Sequence, residues 1–149
     1  MRIYIDTSAL CCEFDDLTVE ANAIEASAIE HILGLVELGV WDLCNSGILE
    51  EEVRLDEWRK RKLSSRAKLR LAQHYIRVPD IRTLAKHWLK IGLSKKDALH
   101  LASALALEAR WLLTLDGEFI ELASQAGSEL NLSVVRPSVF LANLKKALE

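Results

Sequence analysis

Residues 1–10 read MRIYIDTSAL, and the end of the apolar run in this stretch decides how the rest of the chain is interpreted. Ile3, Tyr4 and Ile5 have the composition typical of a strand, and the next residue is Asp6. Aspartate is a poor strand former, and its burial is costly unless it is paired, hydrogen-bonded or bound to a metal. Asp6 therefore either begins an ordinary turn or belongs to a group of acids at one end of a sheet.

Short apolar segments alternate with amphipathic segments along the 149 residues. The alternation predicts strands over 3–5, 40–44, 111–115 and 130–135, and helices over 17–38, 47–58, 79–90, 93–110, 117–126 and 137–148. Strands separated by helices favour right-handed crossovers between parallel strands that are covered on both faces. We expect an α/β fold, a three-layer sandwich with a mostly parallel central sheet of four or five strands flanked by helices, in a single domain over residues 1–149.

Charge is distributed unevenly, although the formal net charge is only −3. Residues 1–53 carry twelve acidic side chains and one basic one, whereas residues 54–70 carry eight basic and two acidic ones. This basic segment is predicted to be helical through Tyr75, with Leu63, Ala67, Leu71 and His74 on its inner face. Such a segment is either a solvated helix face or a surface that binds a phosphate backbone or an acidic partner.

The composition also bears on the class of protein. No apolar run approaches the ~20 residues needed to span a membrane, and the chain does not open on a basic segment followed by an apolar one. Cys11, Cys12 and Cys44 show no C-x-x-C spacing, which favours reduced thiols over a disulfide or a zinc site. We expect a soluble, cytoplasmic protein with no membrane partner.

Two further aspartates are placed so that they can meet Asp6. Asp116 directly follows the apolar run WLLTL, so two parallel strands would end in aspartate at the same edge of the sheet. Asp97 lies in the first turn of its predicted helix, three residues after Ser94, where a capping box is an alternative explanation. A helix that enters from the same edge would bring Asp97 to the pocket defined by the other two aspartates.

A fourth acid is expected from the helix over 47–58, which contains three successive glutamates. Ile48 and Val53 mark its buried stripe, and Glu52 lies at the border of that stripe, with Glu51 as the second candidate. Carboxylates brought within a few ångströms repel one another, and a divalent cation relieves this repulsion. Oxygen ligands without a competing His/Cys cluster favour Mg²⁺ or Mn²⁺ over zinc.

The candidate acids occur in four ordered segments: YIDTSAL, the spacing S-x-x-x-x-x-E from Ser46 to Glu52, KKDALHLASAL, and LLTLDGEF. Together, over nearly the whole chain, these segments resemble the PIN-domain nuclease family and, within it, the VapC-like toxin ribonucleases of toxin–antitoxin pairs. The resemblance implies an enzyme, an endoribonuclease that hydrolyses RNA phosphodiester bonds with Mg²⁺ or Mn²⁺. Its catalytic and metal-binding acids would be Asp6, Glu52, Asp97 and Asp116.

The resemblance also implies roles for other residues and partners. Ser8 would hydrogen-bond a metal-bound water or an aspartate, Thr114 would support Asp116, and Glu118 stands where some relatives carry a further aspartate. The cations expected to contact RNA are Arg59, Lys60, Arg61, Lys62, Arg66, Lys68 and Arg70. Expected partners are the RNA substrate, a small antitoxin protein and a second copy of the chain in a homodimer.

Other interpretations remain open at this point. The main alternative is a catalytically inactive PIN-like module that binds RNA or protein. A receiver domain would need a paired acid beside Asp6, and a HAD-like phosphatase would need a second aspartate where Ser8 stands. His100 is interpreted as a packed, hydrogen-bonded histidine rather than a base, and Trp58 as the tryptophan best placed to contact RNA or a partner.

Overall fold

The structure of the chain is a computed structural model that describes residues 1–148. Within this range the strands β1 to β5 are Arg2–Ile5, Asp42–Ser46, His74–Ile76, Trp111–Leu113 and Ser133–Val135. The helices α1 to α8 are Thr7–Leu10, Glu20–Glu37, Gly47–Leu55, Arg59–Leu69, Arg82–Leu89, Lys95–Ala106, Gly117–Ala126 and Pro137–Leu148. Short 3-10 turns cover Cys12–Phe14, Val78–Asp80 and Gly127–Glu129. None of the helices in this part of the chain is long and apolar enough to cross a membrane.

The five strands form one parallel sheet in the order β3-β2-β1-β4-β5. β1 is central, and its Ile3 pairs with Leu43 of β2 on one side and Trp111 of β4 on the other. Ile3, Tyr4 and Ile5 are all buried, as expected when helices cover both faces of a parallel sheet. The predicted α/β sandwich is therefore confirmed, with a sheet of five strands.

The strand order changes direction beside β1. The chain runs outward from β1 through β2 to β3, crosses back to β4 on the other side of β1, and continues to β5. Because right-handed crossovers that run in opposite directions lie on opposite faces of the sheet, the connections that leave β1 and β4 diverge. A crevice is therefore expected between the carboxyl ends of β1 and β4, which is where open α/β sheets bind ligands.

Helix α8 is held on α2 and β4 by aromatic packing and by a carboxylate. Phe140 is fully buried, and its ring lies edge-on to those of Trp41 and Trp111, with ring centroids 5.2 Å apart in both pairs. Glu25 of α2 accepts a hydrogen bond from the Ser138 backbone N–H at 3.1 Å, and a second one from the Ser138 hydroxyl. A negative group at the first turn of α8 also suits the positive end of the helix.

The basic segment differs from its prediction. Its helix, α4, ends at Leu69 rather than continuing through Tyr75, and His74–Ile76 forms the edge strand β3 instead. Leu63 is 52% exposed and Ala67 is also exposed, so the predicted inner face is wrong. The basic residues between the few apolar ones obscured the helical period of this segment.

Polar contacts hold α4 against the start of the chain. The Lys68 ammonium donates to the Leu10 carbonyl at 2.6 Å and forms an ion pair with Glu13. The hydroxyl of Ser64 donates to the same glutamate at 3.0 Å. Because these contacts use charges and hydroxyls, hydrophobic periodicity does not reveal which face of α4 packs inward.

Several predicted bounds also shift. β4 ends at Leu113 rather than at residue 115, and β5 begins at Ser133 rather than at residue 130. The helix expected from Pro79 begins at Arg82, because a 3-10 turn precedes it. The helices over 117–126 and 137–148 have their predicted bounds.

Phe140→Ala should lower the free energy of unfolding by about 3–5 kcal/mol, because it removes a buried ring and leaves a cavity between two tryptophans. The neighbouring Val139 is 43% exposed, so Val139→Ala on the same helix should change stability by only about 0.5 kcal/mol. Urea unfolding followed by tryptophan fluorescence measures both. Equal effects of the two substitutions would contradict this account of α8.

Candidate functional site

Asp6 lies at the end of β1, beside the crevice. Its backbone N–H donates to the Leu113 carbonyl of β4 at 3.0 Å, which continues the sheet hydrogen bonding by one residue. Its Oδ1 accepts hydrogen bonds from the Ser8 hydroxyl at 2.7 Å and from the Ala9 N–H at 3.1 Å. The second of these bonds caps the short helix α1. Asp6 is only 4% exposed, so its carboxylate depends on these partners rather than on bulk water.

Asp116 reaches the same edge from β4, but three residues after the strand rather than directly after it. Its Oδ1 accepts the N–H groups of Glu118 at 3.0 Å and Phe119 at 3.2 Å, so Asp116 is the N-cap of α7. The hydroxyl oxygen of Thr114 accepts the Asp116 N–H at 3.1 Å and lies 3.3 Å from the Ser8 hydroxyl oxygen. Ser8 and Thr114 therefore link the ends of β1 and β4, whereas the Glu118 side chain is exposed on α7.

Asp97 lies in the first turn of α6, where its backbone N–H donates to the capping hydroxyl of Ser94 at 3.1 Å. Partial burial raises the pKa of the Asp97 carboxyl, and the negative charges of Asp116 and Asp6 raise it further. Burial also raises the pKa of Asp6, although the charge of His100 and nearby hydrogen bonds oppose the shift. The structure thus brings the three aspartates within electrostatic reach of one another.

Glu51 and Glu52, the two candidates for the fourth acid, have different neighbours. Glu51 forms an exposed ion pair with Arg54 at 2.8 Å. Glu52 is half-buried and is hydrogen-bonded to Nε2 of His100, a residue whose charge also influences the pKa of Asp6. Glu52, rather than Glu51, therefore joins the cluster.

A hydrogen-bonded chain behind Glu52 was missed by sequence reasoning. His100 is 3% exposed, and its Nδ1 lies 2.7 Å from the hydroxyl of Tyr4, which in turn lies 2.7 Å from the hydroxyl of Ser46. The interpretation of His100 as packed and hydrogen-bonded agrees with this geometry, but it overlooked that one of the partners is an acid of the site. Sequence position could have revealed this chain. Tyr4 precedes Asp6 by two residues, and His100 follows Asp97 by about one helical turn.

The acids suit a hard divalent cation in ligand type and in charge. Within residues 1–148, no three Asp, Glu, His or Cys side chains already lie in a coordinating arrangement, because Glu52 bonds to His100 and Oδ1 of both Asp6 and Asp116 accepts N–H or O–H groups. Burial raises the pKa of Asp97 most, and an excess of negative charge from Asp116 and Asp6 at this edge adds to the shift. A bound cation would relieve that excess, so the residues fit Mg²⁺ or Mn²⁺.

Two solved structures share this architecture. VapC20 from Mycobacterium tuberculosis, a sarcin–ricin loop cleaving toxin, aligns with 84% of this chain and 95% of its own at 21% identity, with a TM-score of 0.51. A chain of VapBC2 from Rickettsia felis, solved bound to a DNA fragment from the promoter, aligns with 90% of this chain and 97% of its own at 16% identity, with a TM-score of 0.50. The chain has the fold of a VapC-like PIN-domain toxin. No protein-family model matches the sequence, and no curated protein matches it at a significant level.

On this VapC-like fold, two of the seven cations expected to contact RNA have partners within the protein. The Arg61 guanidinium binds both carboxylate oxygens of Asp56, at 2.6 and 2.9 Å, and lies 5.2 Å from the ring centroid of Trp58. Lys68 is the residue that docks α4 to the start of the chain. The others lie on or beside α4 with exposed or half-exposed side chains: Arg59, Lys60, Lys62, Arg66 and Arg70. Their contact with RNA stays a prediction.

Two cations outside the basic segment, Lys96 and Arg136, lie beside residues of the acidic edge, and the sequence analysis did not single them out. Lys96 is close enough to Glu52 for its charge to lower the pKa of that carboxyl. Burial opposes this shift, and the interaction with His100 adds to it. Arg136, which follows β5, packs beside Gly117: a Cβ at that glycine would lie 3.6 Å from the guanidinium. Lys96 and Arg136 therefore lie at the rim of the acidic cluster.

The four tryptophans differ in their exposure to solvent. Trp41 and Trp88 are buried and Trp111 is partly buried, whereas Trp58 is 47% exposed next to Arg61. Trp58 therefore keeps an accessible ring beside the basic segment.

Asp97→Asn should raise the Tm of the metal-free protein at pH 7 by roughly 1–3 °C, a range that allows for solvent screening. The pKa of Asp97 is raised in the folded state, so the folded protein favours the protonated form and loses stability as the pH rises through the raised pKa. The gain from the substitution should therefore shrink as the pH falls to 4, where the unfolded-state carboxyl is about half protonated.

Glu121→Gln, an exposed carboxylate of α7, is the matched control and should leave the Tm nearly unchanged. Thermal unfolding in EDTA between pH 4 and pH 8 makes the comparison. A lower Tm for Asp97→Asn at pH 7 would contradict the repulsion inferred here.

Proposed function

We propose that this protein is an Mg²⁺- or Mn²⁺-dependent endoribonuclease and the toxin of a type II toxin–antitoxin pair. The observation that carries the proposal is the meeting of Asp6, Asp97 and Asp116, with Glu52 beside them, at the edge where β1 and β4 end. Carboxylates gathered in this way repel one another and destabilise the fold unless a bound cation offsets their charge. The fold shared with VapC20, a toxin that cleaves the sarcin–ricin loop, is consistent with the same class of reaction.

Within this proposal the four acids hold the metal. When bound, the metal supplies an activated water near neutral pH and offsets charge on the phosphoryl oxygens. Ser8 and Thr114 orient the carboxylate of Asp6 and the backbone before Asp116, through the hydrogen bonds that join the two strand ends. Hydrolysis at phosphorus would leave 5′-phosphate and 3′-hydroxyl ends on the RNA.

RNA is proposed to reach the acids along a path of cations. Arg54, Arg66 and Arg70 line a cleft of about 510 Å³ that also includes Asn45 near the carboxyl end of β2. Because β2 ends at the same edge as β1, we take this cleft as the path; Glu50 also lines it, and Arg54 pairs with Glu51. Lys96 and Arg136 at the rim would neutralise the phosphates nearest the scissile bond.

The proposed regulation is by protein partners. VapBC2, one of the structures with this fold, is a toxin–antitoxin complex bound to promoter DNA. We propose that this chain likewise pairs with a small antitoxin that places a basic side chain near the acids, and that it forms a homodimer.

The purified protein should cleave a structured RNA in the presence of Mn²⁺ and lose that activity in EDTA, because the acids act through the metal. Asp6→Asn combined with Asp97→Asn should reduce cleavage at least ~10³-fold, since it removes two of the charges that hold the cation. Gel analysis of a 5′-labelled stem–loop RNA measures both effects, and Glu121→Gln serves as the folded, active control. Activity that survives EDTA or the double substitution would refute the proposal.

A Mn²⁺ titration of the Tm separates the nuclease from the catalytically inactive alternative. A protein that binds the ion gains about 2.7 kcal/mol of stability when free Mn²⁺ is at 100 times its Kd. The inactive module would bind RNA in EDTA and gain no stability from Mn²⁺.

Arg66→Ala should raise the KM for RNA severalfold and leave kcat within about twofold, because the residue would contact the phosphate backbone and not the reacting atoms. The slope of log(kcat/KM) against log[KCl] should become shallower by about 0.7–1, the value for one lost phosphate contact. Arg77→Ala is the control, because Arg77 is exposed but pairs with Asp80 at 3.2 Å. An equal effect of both substitutions would place the RNA path elsewhere.

A further inference from the structure

We propose that His100, held by Tyr4, is the positioning residue for Glu52, and that its Nε2–H fixes the Glu52 carboxylate at the acidic edge. The inference deepens the proposed function, and it rests on that function only where metal binding is concerned. It assigns a role to His100, a buried histidine that has no part in the proposed function as stated so far.

The supporting contacts form a buried chain that crosses four secondary structure elements. Tyr4 of β1 is fully buried, and its hydroxyl lies 2.7 Å from Ser46 Oγ at the end of β2 and 2.7 Å from Nδ1 of His100 on α6. The other ring nitrogen, Nε2, bonds to Glu52 of α3. The chain therefore ties Glu52 to β1 and β2 through side chains that solvent does not reach.

The direction of the hydrogen bond to Glu52 follows from the chemistry of the two groups. A carboxylate only accepts hydrogen bonds, so Nε2 carries the hydrogen in its bond to Glu52. The Tyr4 hydroxyl, fully buried, holds the other side of the ring through its hydrogen bond with Nδ1 at 2.7 Å. Ser46 Oγ accepts the Leu49 N–H at 3.2 Å and lies 2.7 Å from the Tyr4 hydroxyl, so the tyrosine is held in turn by the end of β2.

This arrangement suits positioning better than packing or acid–base chemistry. Both ring nitrogens of His100 have partners, so the ring cannot turn without breaking a bond at each end. His100 is also only 3% exposed, and both of its nitrogens face protein groups, so neither nitrogen is presented to a substrate. Outer hydrogen-bond partners of this kind orient metal-binding side chains, and their loss typically weakens metal affinity or activity 10–100-fold.

The first experiment compares His100→Gln with His100→Asn. The glutamine amide can place an N–H near the position of Nε2, whereas the shorter asparagine cannot reach Glu52. Mn²⁺ affinity measured by calorimetry should fall 10–100-fold in His100→Asn and much less in His100→Gln. In a Glu52→Gln background, His100→Asn should cause no further loss, because the residue acts through Glu52.

Equal loss of affinity in the two variants, or a full effect of His100→Asn in the Glu52→Gln background, would overturn the inference. The Tm of each metal-free variant is recorded in parallel. A purely structural role would lower the Tm without this dependence on Glu52.

The second experiment needs no metal. In the NMR spectrum of the metal-free protein, His100 should show a slowly exchanging, downfield Nε2 proton that is lost in Glu52→Ala and weakened in Tyr4→Phe. Glu121→Ala, at an exposed position of α7, should leave the signal unchanged. A proton on Nδ1 alone, or a signal unchanged in Glu52→Ala, would overturn the inference.

The two experiments separate the inference from the proposed function. If the wild-type protein binds no Mn²⁺, the metal-dependent nuclease is refuted. The imidazole spectrum then decides alone whether His100 holds Glu52.

Discussion

A carboxylate buried at the end of the central strand is the constraint on which the rest of the structure depends. Asp6 is almost inaccessible to water, so protein groups must stabilise whichever form it takes. The Ser8 hydroxyl and the Ala9 N–H supply hydrogen bonds, and the Thr114 hydroxyl joins them from the neighbouring strand. The pairing of β1 with β4 therefore depends on the protonation and hydrogen bonding of Asp6. A substitution at Asp6 or at its partners affects both the fold and the site.

Four helices start at this edge, and the residues that cap them also build the site. Asp6 caps α1, Ser46 caps α3, Ser94 caps α6 and Asp116 caps α7. The positive ends of these helices partly offset the charge of the acids. A substitution at a capping acid therefore has two effects, one on helix stability and one on the site, and only experiments that measure both can separate them.

The uneven charge of the sequence has a structural role as well as a proposed functional one. Lys68 pairs with Glu13 and Arg61 pairs with Asp56, so part of the basic segment neutralises acids of the same chain. The Lys68 pair docks α4 on the start of the chain, and the Arg61 pair joins α4 to the residue that ends α3. The remaining cations of α4 are exposed or half-exposed, and they are the ones available to a phosphate backbone.

The sequence by itself determined the alternation of strands and helices, the parallel sheet and the placement of Asp6, because apolar periodicity and strand-ending acids are local signals. Asp97 and Asp116 also followed from their positions relative to predicted elements. Only the tertiary structure distinguished Glu52 from Glu51, since adjacent helical residues differ by a rotation that depends on how α3 packs. It also revealed β3, the polar docking of α4 and the link from Tyr4 through His100 to Glu52. These features rest on contacts between residues 30 to 96 positions apart, and such contacts exist only once the chain has folded.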